Sequence, residues 1–150
     1  MADAPAGVKE ASYVGFWKRL LACIVDNVIL LVIILIAALP FYGSEYFQLS
    51  HEGKTLAFDT VFQVVLPTIA AILFWRYRGA TPGKILVSAR IVDAKTFGPP
   101  SIGQLIGRFF AYIVSILPLF FGFLWIAFDK RKQGFHDKLA GTVVIQDEDL

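Results

Sequence analysis

Residues 17–39 read WKRLLACIVDNVILLVIILIAAL, and residues 28–39 within them are an unbroken run of Val, Ile, Leu and Ala. A helix needs about 20 predominantly apolar residues to cross a hydrocarbon core about 30 Å thick, and these are the residue types that bilayer insertion favours. The stretch therefore predicts a membrane-spanning helix, and the remaining segments are read against it. Lys18 and Arg19 before the run and Ala37 and Ala38 behind it imitate a signal peptide. The polar leader, the length of the run and the aspartate inside it favour a retained span.

Composition points the same way. The chain has 150 residues, 57% of them hydrophobic and 17% charged, with a mean hydropathy of +0.65. An ordinary soluble domain is about half apolar and about a quarter charged. A soluble single-domain enzyme is thus disfavoured, and the length suits one domain. The single cysteine, Cys23, excludes an internal disulfide and any multi-cysteine metal site.

Around the first span the chain divides by polarity. Residues 1–16 form a polar leader that buries little. Residues 40–59 carry one lysine against Glu45, Glu52 and Asp59, and read as an aromatic-rich interfacial loop of net charge −2. A second span runs over residues 60–75, or from near residue 56, and Pro67 kinks it without excluding it. Residues 76–101 then carry Arg76, Arg78, Lys84, Arg90 and Lys95 against Asp93, a net of +4. By the positive-inside rule this loop is cytoplasmic, which puts the N-terminus inside as well.

Within the basic loop, KILVSARIVDA is β-branched and bounded by turn residues, so residues 85–93 are predicted as a strand. The last hydrophobic segment, residues 102–128, would extend about 40 Å as one straight helix. It contains Pro118 and leads into the basic stretch DKRKQGFHDK. A helix broken at Pro118 that returns toward the cytoplasm is preferred to one long tilted span. It would let a second strand-like run, residues 142–146, pair with residues 85–93. The expected fold is an all-α integral membrane domain over residues 17–147, with three hydrophobic helical segments, a small cytoplasmic β element, and an acidic tail at 148–150.

Asp26 is the most costly residue in this arrangement. It lies about 13 Å along the first span, where an acidic side chain costs on the order of 2.5–3.5 kcal/mol. Arg19 is on the same helical face but about 10 Å away along the axis. Arg108, in the last segment, is a second buried-looking cation that would offset the penalty by pairing with Asp26. Two readings stay open: a carboxylate that binds a proton or monovalent cation, tuned by Arg19 and Arg108, or a buried ion pair that fixes helix register.

The remaining polar residues are read as packing features. Asn27, Gln63 and Thr68 suit hydrogen bonds between helices, and Gly103, Gly107, Ala111 and Ser115 form a small-residue ridge. GATPGK at residues 79–84 falls one residue short of a phosphate loop and has Ile85 where a hydroxyl is required. His51, His136 and Cys23 have neither metal-ligand nor nucleophile-base spacing. No catalytic residue, cofactor or metal is expected, and the basic stretches are explained by topology and anionic lipid, with no nucleic acid.

The segments GFWKRLLACIVDNVI, ATPGKILVSARIVDA, SIGQLIGRFFA and KRKQGFHDKLAGTVVI, in this order, resemble the RDD family of small bacterial membrane proteins. The family is named for one arginine and two aspartates. The resemblance matches its arginine to Arg19, its first aspartate to Asp26, and the other to Asp137 in HDKLAGT or, as the alternative, Asp129. It implies an inner-membrane protein, proposed in the family to take part in transport of unidentified ligands, with some members associated with sodium/proton antiport. A span count this small implies a homo-oligomer or a partner membrane protein. The alternative function is a non-transporting accessory or scaffold subunit, and neither reading makes the chain an enzyme.

Overall fold

The structure is a computed structural model that describes residues 12–116 and 121–147. Helix α1 (Phe16–Tyr42) starts after an extended Gly15 and accepts Pro40 near its end. It passes through a single 3-10 turn (Gly43–Glu45) into α2 (Tyr46–His51). Together they make a helical run of 36 residues, about 54 Å at 1.5 Å per residue. The expected loop at residues 40–59 is therefore largely helical. The reason is local: Tyr46 packs with Ile34 and Ala38, and its ring meets Tyr42 and Phe58, so the aromatics that read as interfacial anchors build a cluster among themselves.

The second hydrophobic segment is α3 (Leu56–Asp59), a π-helical turn (Thr60–Val65) and α4 (Leu66–Tyr77). They form one continuous helix of 22 residues. A proline ring clashes with the carbonyl four residues back and offers no N–H. The widened turn immediately before Pro67 is the usual way a helix absorbs such a defect. The segment thus begins at Leu56, the earlier of the two expected starts, and ends two residues beyond Trp75.

Both long helices are apolar and uncovered. Of their most hydrophobic windows, 11% and 0% of the residues are buried, and Leu39, Leu56 and Leu66 are among the large side chains facing outward. A soluble monomer rarely exposes a contiguous apolar patch of more than a few hundred Å², so this surface suits lipid. The third hydrophobic segment is two short helices and not the disfavoured single long span. Helix α6 (Ile102–Ile116) has 15 residues, about 22 Å, short of the roughly 30 Å core. Helix α7 (Phe121–Phe128) packs against α6 and α1. Two helices among the described residues are long and apolar enough to cross a membrane, and the expected break at Pro118 lies outside the described residues.

A small cap closes one end. After α4 come α5 (Pro82–Leu86) and strand β1 (Ala89–Asp93), and after α7 come α8 (Phe135–Ala140) and strand β2 (Thr142–Gln146). The strands pair antiparallel, Ala89 opposite Gln146 and Asp93 opposite Thr142. The expected pairing of the basic loop with the C-terminal run is therefore present. The first strand is shorter than residues 85–93, because Ile85 and Leu86 finish a helix that Pro82 starts, and Ser88 turns the chain at φ 51°. The end of the supposed polar leader also joins the cap. The Val14 N–H donates to Val144 O and the Gln146 N–H to Ser12 O, and Val14 is buried with Ile91, Leu105 and Trp75.

Candidate functional site

Two of the charged residues expected inside the helices, Arg19 and Arg108, meet on one carboxylate where α1 and α6 adjoin α8 of the cap. Asp137, in the first turn of α8, is fully buried. One of its oxygens accepts from Arg19 Nη1 at 2.5 Å and from the Gly134 N–H at 3.0 Å. Its other oxygen accepts from Arg108 Nη1. Arg19 also donates through Nη2 to Lys132 O at 2.6 Å and through Nε to Val14 O at 3.1 Å. Arg108 donates to the Thr142 hydroxyl at 2.7 Å and to the Tyr112 hydroxyl at 3.3 Å. Its guanidinium lies 5.7 Å from the Trp75 ring and 5.5 Å from the Tyr112 ring. Two cations on one carboxylate leave the cluster with a net positive charge, spread by these aromatic faces.

Burial alone would raise the Asp137 pKa, but the Arg108 and Arg19 guanidinium groups outweigh it and hold the carboxyl well below its usual range. His136 beside it is stacked on Tyr112 at 4.3 Å. Burial, helped by the charges of Arg108 and Arg19, outweighs the attraction of Asp137 and lowers the His136 pKa to about 3. It is neutral at physiological pH.

Asp26 is bound elsewhere. Its Oδ2 accepts from the Thr81 hydroxyl at 2.5 Å and its Oδ1 from the Gly83 N–H at 2.7 Å. An isolated helix start has N–H groups without partners. Here an aspartate from another helix supplies the cap, since Thr81 makes no side-chain cap of its own. The approach is close: a Cβ on Gly83 would lie 2.0 Å from Ala22 O and 2.9 Å from Asp26 Cγ. Only glycine lets α5 sit on α1 in this way.

The expected pairing of Asp26 with Arg108 is therefore replaced. Arg108 and Arg19 share Asp137, while Asp26 is satisfied by a hydroxyl and an amide. Asp129 forms neither contact. Its carboxylate accepts from Lys138 at 2.6 Å and from the Arg131 and Gln133 N–H groups, and these bonds outweigh burial and hold its pKa below the ordinary value. Of the two aspartates that the resemblance left open, Asp137 is the one joined to Arg19. The small-residue ridge is uncovered at Gly103 and Gly107, and an added Cβ at Gly107 would meet nothing within 4 Å.

Sequence reasoning missed Thr81, Gly83 and Tyr112. Pro at a first helical position behind Thr was the available signal for a helix at residue 82. It also missed Asp59, which accepts from Tyr46, Thr55, Ser50 and Gln63 near the far end of α1. The polar residues of HEGKT gave no hint that four donors converge there.

The fold and site define a small membrane-type protein of two long lipid-suited helices carrying a cap held by buried charge. The chain belongs to the RDD family, whose model matches residues 13–141. It is 40% identical over 105 residues to the uncharacterized protein RP437 of Rickettsia prowazekii, covering 68% of this chain and 58% of that protein. It is 31% identical over 150 residues to the uncharacterized protein YxaI of Bacillus subtilis, covering 87% and 95%. The uncharacterized membrane protein YteJ of Bacillus subtilis is 24% identical over 142 residues, covering 91% and 83%. No solved structure matches.

Proposed function

We propose that the chain is a multi-pass protein of the bacterial inner membrane, N-terminus cytoplasmic, serving as a non-enzymatic accessory or scaffold subunit. One observation carries this reading: Arg19, Asp26, Arg108 and Asp137 are all engaged in bonds that fasten the cap or join helices to it. Such bonds fix a surface in one orientation, which is what a docking subunit needs. The partner is another membrane protein or further copies of the chain. The orientation rests on the net positive charge of residues 76–101. Co-purification in mild detergent tests the role: an intact cap recovers a partner or a homo-oligomer, and Asp26→Ala lowers that recovery. Wild type recovered only as a monomer without partners contradicts it.

A second reading is ion-coupled transport, in which Asp26 exchanges a proton or monovalent cation. It is favoured by the neutrality of both donors to Asp26, which has no ion pair among the described residues. Cation-dependent proton flux in reconstituted liposomes, lost in Asp26→Asn, would select this reading.

A further inference from the structure

The end of α4 and the start of the sheet enclose a cleft of about 210 Å³, lined in part by Arg76, Arg78 and Arg90. No acidic side chain lines it. Arg90 is paired with Asp147 at 2.7 Å. Among the described residues the Arg76 and Arg78 side chains have no hydrogen bond or ion pair, and both residues are exposed.

The wall opposite these arginines is fixed. The Ile91 N–H donates to Gly79 O at 2.7 Å and the Asp93 N–H to Gly98 O at 2.9 Å. The Asp93 carboxylate accepts from the Lys95 and Thr96 N–H groups, which ties down the turn leading to Phe97. Gly79 has φ +67°, and a Cβ there would lie 2.9 Å from Arg90 Cγ, so the Arg90 stem is packed over it. Arg76 and Arg78 therefore border a hollow whose strand and turn side is held in place.

Its position is specific too. The hollow sits at the end of the 22-residue apolar helix, beside Tyr77, which is 79% exposed. Aromatic side chains at a helix end mark headgroup depth, and arginine matches phosphate oxygens bidentately.

We propose that this cleft binds a phosphate-bearing anion, held chiefly by Arg76 and Arg78 at headgroup depth. An anionic phospholipid is one source and free phosphate the other. Arg90 stays paired with Asp147 and contributes its packed stem to the wall. The assignment does not depend on the accessory-subunit reading, because binding is measured on the isolated protein and not through a partner.

Trp75 lines the cleft and reports on it once Trp17→Phe and Trp125→Phe are introduced into the full chain. In mild detergent this protein is titrated with dioctanoyl phosphatidylglycerol, dioctanoyl phosphatidylcholine and inorganic phosphate, following Trp75 emission. A saturable change with phosphatidylglycerol and a weaker response to phosphatidylcholine is expected. If each arginine contributes about a factor of five, Arg76→Gln/Arg78→Gln weakens it about 25-fold, and Arg76→Lys/Arg78→Lys recovers part. Saturation by inorganic phosphate with the same loss in the glutamine variant also supports the site and names the free anion as its source. Equal responses to both lipids without phosphate binding, or unchanged affinity in a glutamine variant of wild-type helical content, overturn it.

Discussion

Arg19 and Asp137 stand 118 residues apart in sequence and share a 2.5 Å hydrogen bond, with side chains 8% and 0% exposed. The bond joins the first turn of α1 to α8, and the other carboxylate oxygen reaches α6 through Arg108. One carboxylate thus fastens three helices at the end where the sheet lies. A buried ion is tolerated only when partners replace its lost hydration, and Asp137 has two guanidinium groups and an amide.

Asp137→Asn leaves two buried guanidinium groups without a counter-ion, and about 3–5 kcal/mol of stability should be lost. Arg19→Gln leaves one cation with one anion and should cost less than half as much. Thermal melts of the detergent-solubilised variants, read by size-exclusion recovery, check the order. An Arg19→Gln loss as large as that of Asp137→Asn would contradict the shared-carboxylate arrangement.

Two glycines should respond in opposite ways. Gly83→Ala drives a methyl into Ala22 O and should abolish the α1–α5 contact, seen as loss of folded protein on expression. Gly107→Ala meets open space and removes a helix-interior glycine, so stability should rise by about 0.5–1 kcal/mol. A tolerated Gly83→Ala would mean that α5 does not rest on α1.

Stability should also fall in acid through His136. Its folded pKa of about 3 lies below the unfolded value of about 6.5, so between these values the unfolded chain binds the extra proton. Stability is then unchanged by this group above about pH 6.5 and declines below it, by up to about 1.4 kcal/mol per pH unit. Asp137, with its pKa held down, adds a further loss only below about pH 4, as the unfolded carboxyl begins to protonate. In His136→Phe, which keeps a ring against Tyr112, the decline between pH 6.5 and 4 should flatten. A wild-type melting temperature independent of pH over that range would contradict the buried neutral histidine.

The proposed orientation is open to labelling. In a Cys23→Ser background, Glu52→Cys and Lys95→Cys place thiols at exposed residues in the α2–α3 connection and the basic loop. A membrane-impermeant maleimide should modify residue 52 in intact spheroplasts and residue 95 only after permeabilisation. The opposite pattern would reverse the topology.

How far the sequence carried depended on the kind of interaction. The apolar runs at residues 17–39 and 60–75 signal their helices because lipid exposure needs only hydrophobicity and length. The β-branched runs signalled the strand pair for a similar reason. The edges were harder: residues 40–59 look polar, yet Tyr46 and Phe58 pack on α1 and keep the chain helical, a tertiary effect no local pattern encodes. At the site, the high cost of burying Asp26 and the buried character of Arg108 were legible, but the burial of Arg19 and the pairing were not. Asp137 lies in a basic, soluble-looking stretch, and only the return of α7 and α8 onto α6 brings it between the two arginines. The Asp26 cap was similarly hidden, because one of its two donors is a backbone amide.

In the function proposed above, Asp26 is a latch and not an ion carrier. The most direct measurement is sodium- and potassium-dependent proton flux in liposomes holding folded wild type or Asp26→Asn, compared with protein-free liposomes. No flux above the protein-free control is expected from either protein across a range of pH. Flux in wild type that disappears in an equally folded and inserted Asp26→Asn would contradict it.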